Sequence, residues 1–349
     1  MRFYKNQHKY YCGIDLHSTC MYVCVLDEGG KIVFHRNMGT DGQAFLEAVE
    51  PYREDLVVGV ECMYCWYWLA DLCAEHNIRF VLGHALYMKA IHGGKAKNDK
   101  VDSEKIALLL RGGMFPEAYV YPKEMRATRD LMRRRLFFVR KRSELYAHIQ
   151  MTYQQYNLPA PGVKLAYRSK RTQIEKPFSD DSTLQSVNAD LEMVEHYSDM
   201  IKRLEWQIEK KAKKNNKNSL NIALLKTVPG IGPVLSATLL YEIHDIKRFP
   251  SVQHFASYAR LVKPERSSAG KKTAGGGSKI GNQHLKWAFS EVAALCLKDN
   301  SNTKAYLQKL QRKHHKSKAL TLLAHKLGRA VYHILLRKEP WDEAKFLKA

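Results

Sequence analysis

Four carboxylates in the first third of the chain stand where they would do phosphoryl chemistry together. Asp15 lies at the end of the apolar run Tyr10-Tyr11-Cys12-Gly13-Ile14-Asp15-Leu16, and Glu61 closes the run Leu56-Val57-Val58-Gly59-Val60-Glu61. Asp99 and Asp102 open a helical segment three residues apart. Residues at i and i+3 share a helix face, so these last two reach one site. Hard Mg2+ requires oxygen ligands, and two such ions about 4 Å apart clamp the attacking and leaving oxygens of a phosphodiester. Each acid alone has an ordinary reading: Asp15 as a strand-end turn former, Asp102 as a first-turn acid favoured by the helix dipole. Four in this order, on two strand ends and one helix start, point to a two-ion site.

The surrounding elements are of the kind that would hold such a site. Residues 10–16, 21–26 and 31–35 read as a three-strand meander, with the turn Asp27-Glu28-Gly29-Gly30 between the last two. A short helix over 42–52, a buried strand over 56–61, an aromatic-rich helix from about Tyr64 to His76 and a strand over 78–82 follow. Strands alternating with helices after a meander predict an α/β domain with a mixed sheet. A ribonuclease-H-like (RuvC-like) sheet places an acid on its first strand, another on its fourth, and acids on a later helix, which is the order found here.

From residue 122 to 158 the pattern turns helical and very basic. Arg133, Arg134 and Arg135 belong to a run of nine Lys and Arg residues opposed in that first stretch only by Glu124 and Asp130. This density predicts a face that tracks phosphates. Residues 159–182 read as a linker. Leu184, Val187, Leu191, Val194, Ile201, Leu204 and Ile208 then keep a spacing near three and four, a short coiled-coil or helical-hairpin signal. The last third is helical apart from one polar loop over 263–281. Its turn Val228-Pro229-Gly230-Ile231-Gly232 fits two readings equally, a phosphate-binding helix–hairpin–helix or a glycine turn between packed helices.

Composition narrows the function classes. The 349 residues carry 57 Lys+Arg against 35 Asp+Glu, a formal charge of +22 that favours a polyanionic partner. With 45% hydrophobic residues the chain buries a core, so wholesale disorder is excluded. No apolar run reaches membrane-spanning length and the N-terminal residues lack a signal core, so no membrane partner is expected. Six of the seven cysteines fall in apolar stretches of the first quarter, which predicts reduced, buried thiols in a cytoplasmic protein. Cys62-x-x-Cys65 has zinc-like spacing without a second ligand pair and reads as helix thiols. His314-His315 reads as a solvated or phosphate-facing pair, and Gly275-Gly276-Gly277 as a flexible stretch.

Several blocks together resemble one family. Gly13-Ile14-Asp15, Val60-Glu61-Cys62 and Lys97-Asn98-Asp99-Lys100-Val101-Asp102 are similar to the three signature blocks of the DEDD transposases, recombinases of bacterial insertion sequences related to the Piv DNA invertase. Val228-Pro229-Gly230-Ile231-Gly232, Phe255-Ala256-Ser257-Tyr258-Ala259 and the block from Ser278 to Lys286 resemble the C-terminal transposase domain of that family, in order and spacing. The resemblance covers roughly residues 10 to 336. It implies a RuvC-like DEDD domain with its basic helix over 1–158, a linker and coiled-coil insertion over 159–219, and an all-α transposase domain over 220–349.

The resemblance also implies a fifth catalytic residue, a nucleophilic serine ahead of the Ser278 block, usually followed by glycine. Here the loop reads Glu265-Arg266-Ser267-Ser268-Ala269-Gly270, so spacing favours Ser268 and leaves Ser267 as the alternative. A serine hydroxyl attacking phosphorus would conserve bond energy in a covalent protein–DNA intermediate. Lys263, Arg266, Lys271, Lys272 and Lys279 surround it and suit phosphate contacts. Implied with it are Mg2+, target and donor double-stranded DNA, a structured non-coding bridge RNA encoded by the element, and a dimer or tetramer combining acids and serine from different subunits. A nucleoid-associated bacterial protein is the expected setting. Two rivals remain at this point: a metal-dependent resolvase that hydrolyses branched DNA with water, and a nucleic-acid-binding protein without catalysis.

Overall fold

The computed structural model describes residues 2–91, 98–161, 169, 171–214, 216–263, 266–268, 271–273 and 280–348, with the backbone alone at 89–91, 171–172, 216, 266–268, 271–273 and 299. The chain divides into two compact units, residues 1–123 and 124–349.

The first unit is built on a seven-stranded mixed sheet. Its strands are β1 (Phe3–Tyr4), β2 (Tyr10–Leu16), β3 (Cys20–Asp27), β4 (Ile32–Gly39), β5 (Leu56–Glu61), β6 (Arg79–Gly83) and β7 (Phe115–Ala118), in the spatial order β1-β7-β6-β5-β2-β3-β4. The expected meander is present as antiparallel β2-β3-β4, and β5 and β6 add in parallel beside β2. β2 lies in the interior of the sheet, between β5 and β3, and is covered on both faces, which is why it reads as a continuous apolar run. On one face Cys12, Ile14, Val58 and Val60 pack against helices α1 (Gly42–Val49) and α2 (Tyr67–Glu75), through Phe45, Val49, Leu69 and Cys73. A short helix α3 (Ala85–Ile91) follows β6, and α4 (Asp99–Arg111) covers the other face, where Ile106, Ala107 and Leu110 meet Tyr11, Cys24 and Val57.

The contact of α4 with the sheet is unusually close. A Cβ at Gly13 would lie 2.2 Å from the Ser103 carbonyl oxygen and 2.3 Å from the Ala107 nitrogen, and one at Gly59 would lie 2.6 Å from Leu110 Cδ1. The Gly13 obstacles are backbone atoms that cannot move independently of the helix. The start of α4 is fixed locally as well. Asn98 caps it by accepting from Val101 N at 2.8 Å, and His35 of β4 lies 3.2 Å from Ser103 Oγ and 3.1 Å from the Lys100 carbonyl.

The second unit contains α5 (Lys123–Gln155, all but its first residue), α6 (Arg171–Glu175), α7 (Asp181–Lys213), α8 (Asn216–Lys226), α9 (Pro233–Ile243), α10 (Val252–Tyr258), α11 (Gln283–Asp299), α12 (Ser301–Gln311), α13 (Lys316–Arg337) and α14 (Glu343–Lys348). A two-stranded ribbon, β8 (Arg266–Ser268) and β9 (Lys271–Thr273), interrupts the loop before α11. The apolar spacing over 184–208 makes an antiparallel helical hairpin of α7 with α5. Arg135 pairs with Glu205, Arg142 with Ser198, His148 with Asp190 and Tyr156 with Thr183, so one sequence number falls as the other rises. Gly230, at φ +84°, lies where a Cβ would come 2.6 Å from the Cys296 nitrogen of α11, so packed helices account for this turn glycine.

α9 is apolar almost all round and buried from Leu235 to Ile243, with one charged exception, Glu242, only 1% exposed. Arg133 donates to its carboxylate at 2.7 and 3.0 Å, Arg129 at 3.1 Å and the Asn282 amide at 2.7 Å. Burial pushes the Glu242 carboxyl up, but these donors and the two guanidinium charges outweigh it and bring it down to about 2.

Gly13→Ala is expected to lower stability by about 1–3 kcal/mol and to shift the start of α4. Gly39→Ala, where nothing lies within 4 Å, serves as the neutral control in thermal melts. Glu242→Gln leaves the buried Arg129 and the partly exposed Arg133 without their counter-charge and is expected to cost about 3 kcal/mol. Because the folded carboxyl is depressed, its stabilisation is present above the ordinary value of 4.5 and is lost as pH falls toward about 2. Denaturation curves of the wild type are therefore expected to steepen across that acid window, and those of Glu242→Gln to lack the step.

Candidate active site

Two of the four sequence-predicted acids lie on the face of the sheet that α4 covers, and the other two lie on α4 itself. In the parallel register Ile14 lies beside Val60, so Asp15 and Glu61 are the next positions on neighbouring strands. Both alternate with the glycines that meet α4 and thus share its face. Asp99 and Asp102 occupy the first turn of α4, where the helix dipole favours negative charge. Among the described residues the tightest ligand group is Asp15, Asp99 and a residue the sequence reading did not single out, His17. Their ligand atoms lie within 4.8 Å of one another. His17 Nε2 is 3.6 Å from Asp15 Oδ2 and 3.6 Å from Asp99 Oδ2. Asp102, one turn along, pairs with Lys105 at 3.2 Å, and Glu61 borders the group at the end of β5.

The electrostatics suit a cation. Burial raises the Asp15 carboxyl above its ordinary range; the neighbouring His17 opposes the rise, and the charges of Asp99 and Asp102 reinforce it. Such a cluster is relieved by positive charge, and its donors are oxygens with one nitrogen. His17 Nε2 is a solvent-shielded atom with no partner within 3.5 Å, the kind of orphan that an ion satisfies. The residues present therefore fit a divalent cation. The signal for His17 was available in the sequence as an Asp-x-His step at the end of β2. Only the turn into β3 reveals that the ring swings back to the acids.

The zinc-like cysteine pair has no such company among the described residues. α2 begins at Tyr67, later than expected, so Cys62 and Cys65 lie in its approach and not on a helix. Cys62 is exposed, against the expectation of a buried thiol, while Cys65 donates to the Leu16 carbonyl at 3.3 Å. The remaining cysteines are free thiols, four of them buried; burial pushes Cys24 and Cys73 up to about 12.

The second unit carries the serine loop and the charge. Residues 1–123 hold 14 Lys+Arg against 15 Asp+Glu, a balance of −1, whereas 124–349 hold 43 against 20, a balance of +23. The three consecutive arginines divide. Arg133 is engaged by Glu242 and Arg135 by Glu205, at 2.6 Å, while Arg134 is exposed with its guanidinium 5.6 Å from the Phe137 ring. Counting acids along α5 alone overlooks these partners because they arrive from α7 and α9. Lys263 is exposed. Ser268 pairs in register with Lys271, Ser267 with Lys272 and Arg266 with Thr273, which gives the loop a ribbon that the sequence reading did not foresee. The side chains of these six residues, together with Lys279 and Gly275 to Gly277, lie outside the described residues. The loop's far end is anchored by Asn282, which caps α11 by accepting from His284 N and Leu285 N while its amide reaches Glu242. His315 likewise caps α13, accepting from Ser317 N.

Comparison with known proteins matches both the sheet-bearing part of the chain and the helical part after it. Residues 12–158 match the DEDD transposase family model of the IS110 type, and residues 222–308 match the model described as the transposase IS116/IS110/IS902 family. The chain is 22% identical over 337 residues to a transposase for insertion sequence element IS1111A of Coxiella burnetii, covering 94% of this chain and 90% of that one. It is 22% identical over 344 residues to a probable family 20 transposase of Pseudomonas aeruginosa, covering 93% and 96%. A transposase for IS1328 of Yersinia enterocolitica is 25% identical over 142 residues, 40% of this chain and 42% of its own length. With both halves of the chain matched in order, this protein belongs to the DEDD transposases of insertion sequences and is a DNA transposase.

Proposed function

We propose that the protein cuts and rejoins DNA with a divalent-metal site in the first unit and a serine nucleophile in the second. The observation that carries this reading is the convergence of Asp15, at a strand end of the mixed sheet, and Asp99, in the first turn of α4, with Glu61 and Asp102 alongside. These four acids would hold Mg2+, as one or two ions, which when bound supplies charge stabilisation to phosphoryl oxygens. Ser268, or Ser267 in the alternative register, attacks the scissile phosphorus. A serine–DNA phosphodiester forms as the bond to the departing deoxyribose oxygen breaks, that oxygen leaving as a hydroxyl with the proton the serine gives up. A hydroxyl from another DNA end then reverses the step and seals the exchanged strand.

The basic second unit supplies phosphate contacts, for which exposed Arg134 and Lys263 and the loop residues Arg266, Lys271, Lys272 and Lys279 are the candidates. Arg133 and Arg135 contribute by holding α5 in place. Target and donor choice belongs, in this reading, to a structured bridge RNA that pairs with the DNA, while the protein recognises the RNA by shape and backbone. The active form is a homo-oligomer, dimer or tetramer. Among the described residues no helix is long and apolar enough to cross a membrane.

Asp15→Asn, Glu61→Gln, Asp99→Asn and Asp102→Asn are each expected to abolish strand cleavage while DNA retention on gels stays within about threefold. Ser268→Ala is expected to bind DNA and lose the denaturant-resistant protein–DNA adduct that wild type forms with Mg2+. Cleavage that survives the Ser267→Ala/Ser268→Ala double variant would instead identify a water-using metal nuclease. Binding driven by the positive second unit is expected to weaken steeply with salt, with log K falling linearly in log salt. A flat response between about 50 and 200 mM would refute phosphate-dominated binding.

A further inference from the structure

We infer that His17 is a nitrogen ligand of the cation site, completing it beside Asp15 and Asp99; the inference rests on the reading of the acids as cation-binding. Three observations support it. His17 Nε2 is shielded from solvent and has no partner within 3.5 Å, although 44% of the side chain is exposed. The two carboxylate oxygens that face it stand at 3.6 Å, beyond the ordinary N–H···O distance of about 2.9 Å. Two ligands sharing an ion at about 2.1 Å each lie roughly 3–4 Å apart, so the same spacing suits joint coordination.

The backbone makes this geometry durable. The His17 N–H bonds the Cys20 carbonyl at 2.9 Å across the β2–β3 turn, and its own carbonyl accepts from Thr40 Oγ1 at 3.0 Å. The imidazole therefore leaves a pinned residue two positions beyond Asp15. With its proton on Nδ1, Nε2 offers a lone pair and brings a donor to the cluster without further negative charge. Nitrogen is a softer donor than carboxylate oxygen, so His17 biases the site toward Mn2+ relative to an all-oxygen site, while Mg2+ depends mainly on the acids.

The test uses the full-length protein without nucleic acid and Mn2+ as the probe. Pulsed electron paramagnetic resonance of the wild type is expected to show 14N modulation from a directly bound imidazole, altered by 15N-histidine labelling. His17→Ala and His17→Gln are expected to lose that modulation and to weaken the Mn2+ Kd by roughly tenfold or more, with a smaller change for Mg2+ measured by competition. Unchanged melting temperatures would show that both variants are folded. Asp15→Asn is expected to lose the bound ion altogether. Specific Mn2+ binding that needs Asp15 but shows no nitrogen coupling and is indifferent to His17→Ala would overturn the inference and leave the acid site standing, with His17 as an ion-pair partner only. Absence of specific Mn2+ binding by the wild type would overturn both.

Discussion

At Gly13 strand β2 and the α4 backbone approach so closely that even a methyl group has no room. The remainder of the first unit follows from that contact. It sets the height of α4 above the sheet and brings its first turn to the ends of β2 and β5. The acids of the site come from segments that are distant in sequence, and they acquire a common location only because the helix is seated at this depth. At Gly59 the close neighbour is the Leu110 side chain, which yields more readily than the backbone met at Gly13. The cost is a cluster of like charges in a partly buried place. Burial and the neighbouring carboxylates raise Asp15, a strain that a bound cation relieves.

In the second unit a buried charge takes the corresponding role. Glu242 has little access to water, and a carboxylate there is tolerable because two guanidiniums and one amide satisfy it. Those partners come from α5 and from the cap of α11, so one side chain ties the long basic helix to the end of the serine loop. Asn282 has a double duty: its oxygen caps α11 and its amide group meets Glu242. The arrangement explains why a helix so rich in arginine carries a fixed internal face as well as an outward one. Charge on this helix thus gives cohesion through Arg129, Arg133 and Arg135, while Arg134 and Arg140 stay exposed.

The sequence by itself determined a good deal. Strand and helix periodicities located β2 through β6 and the major helices to within a few residues, and the apolar spacing after residue 184 became one arm of a hairpin. These are local properties, written in which side of an element must avoid water. The four acids were legible for the same reason, since each sits at an element boundary that periodicity marks. Only the tertiary structure decided which groups meet. The terminal strand β1 pairs with β7 across more than a hundred residues, and nothing local announces it. Arg133 and Arg135 look free along α5 until acids from α9 and α7 are placed against them. His17 looks like a turn residue until the chain reverses into β3 and aims its nitrogen at Asp15 and Asp99. Periodicity reports burial along one segment, whereas pairing depends on where separate segments are brought together, and that is settled by close packing such as the contact at Gly13.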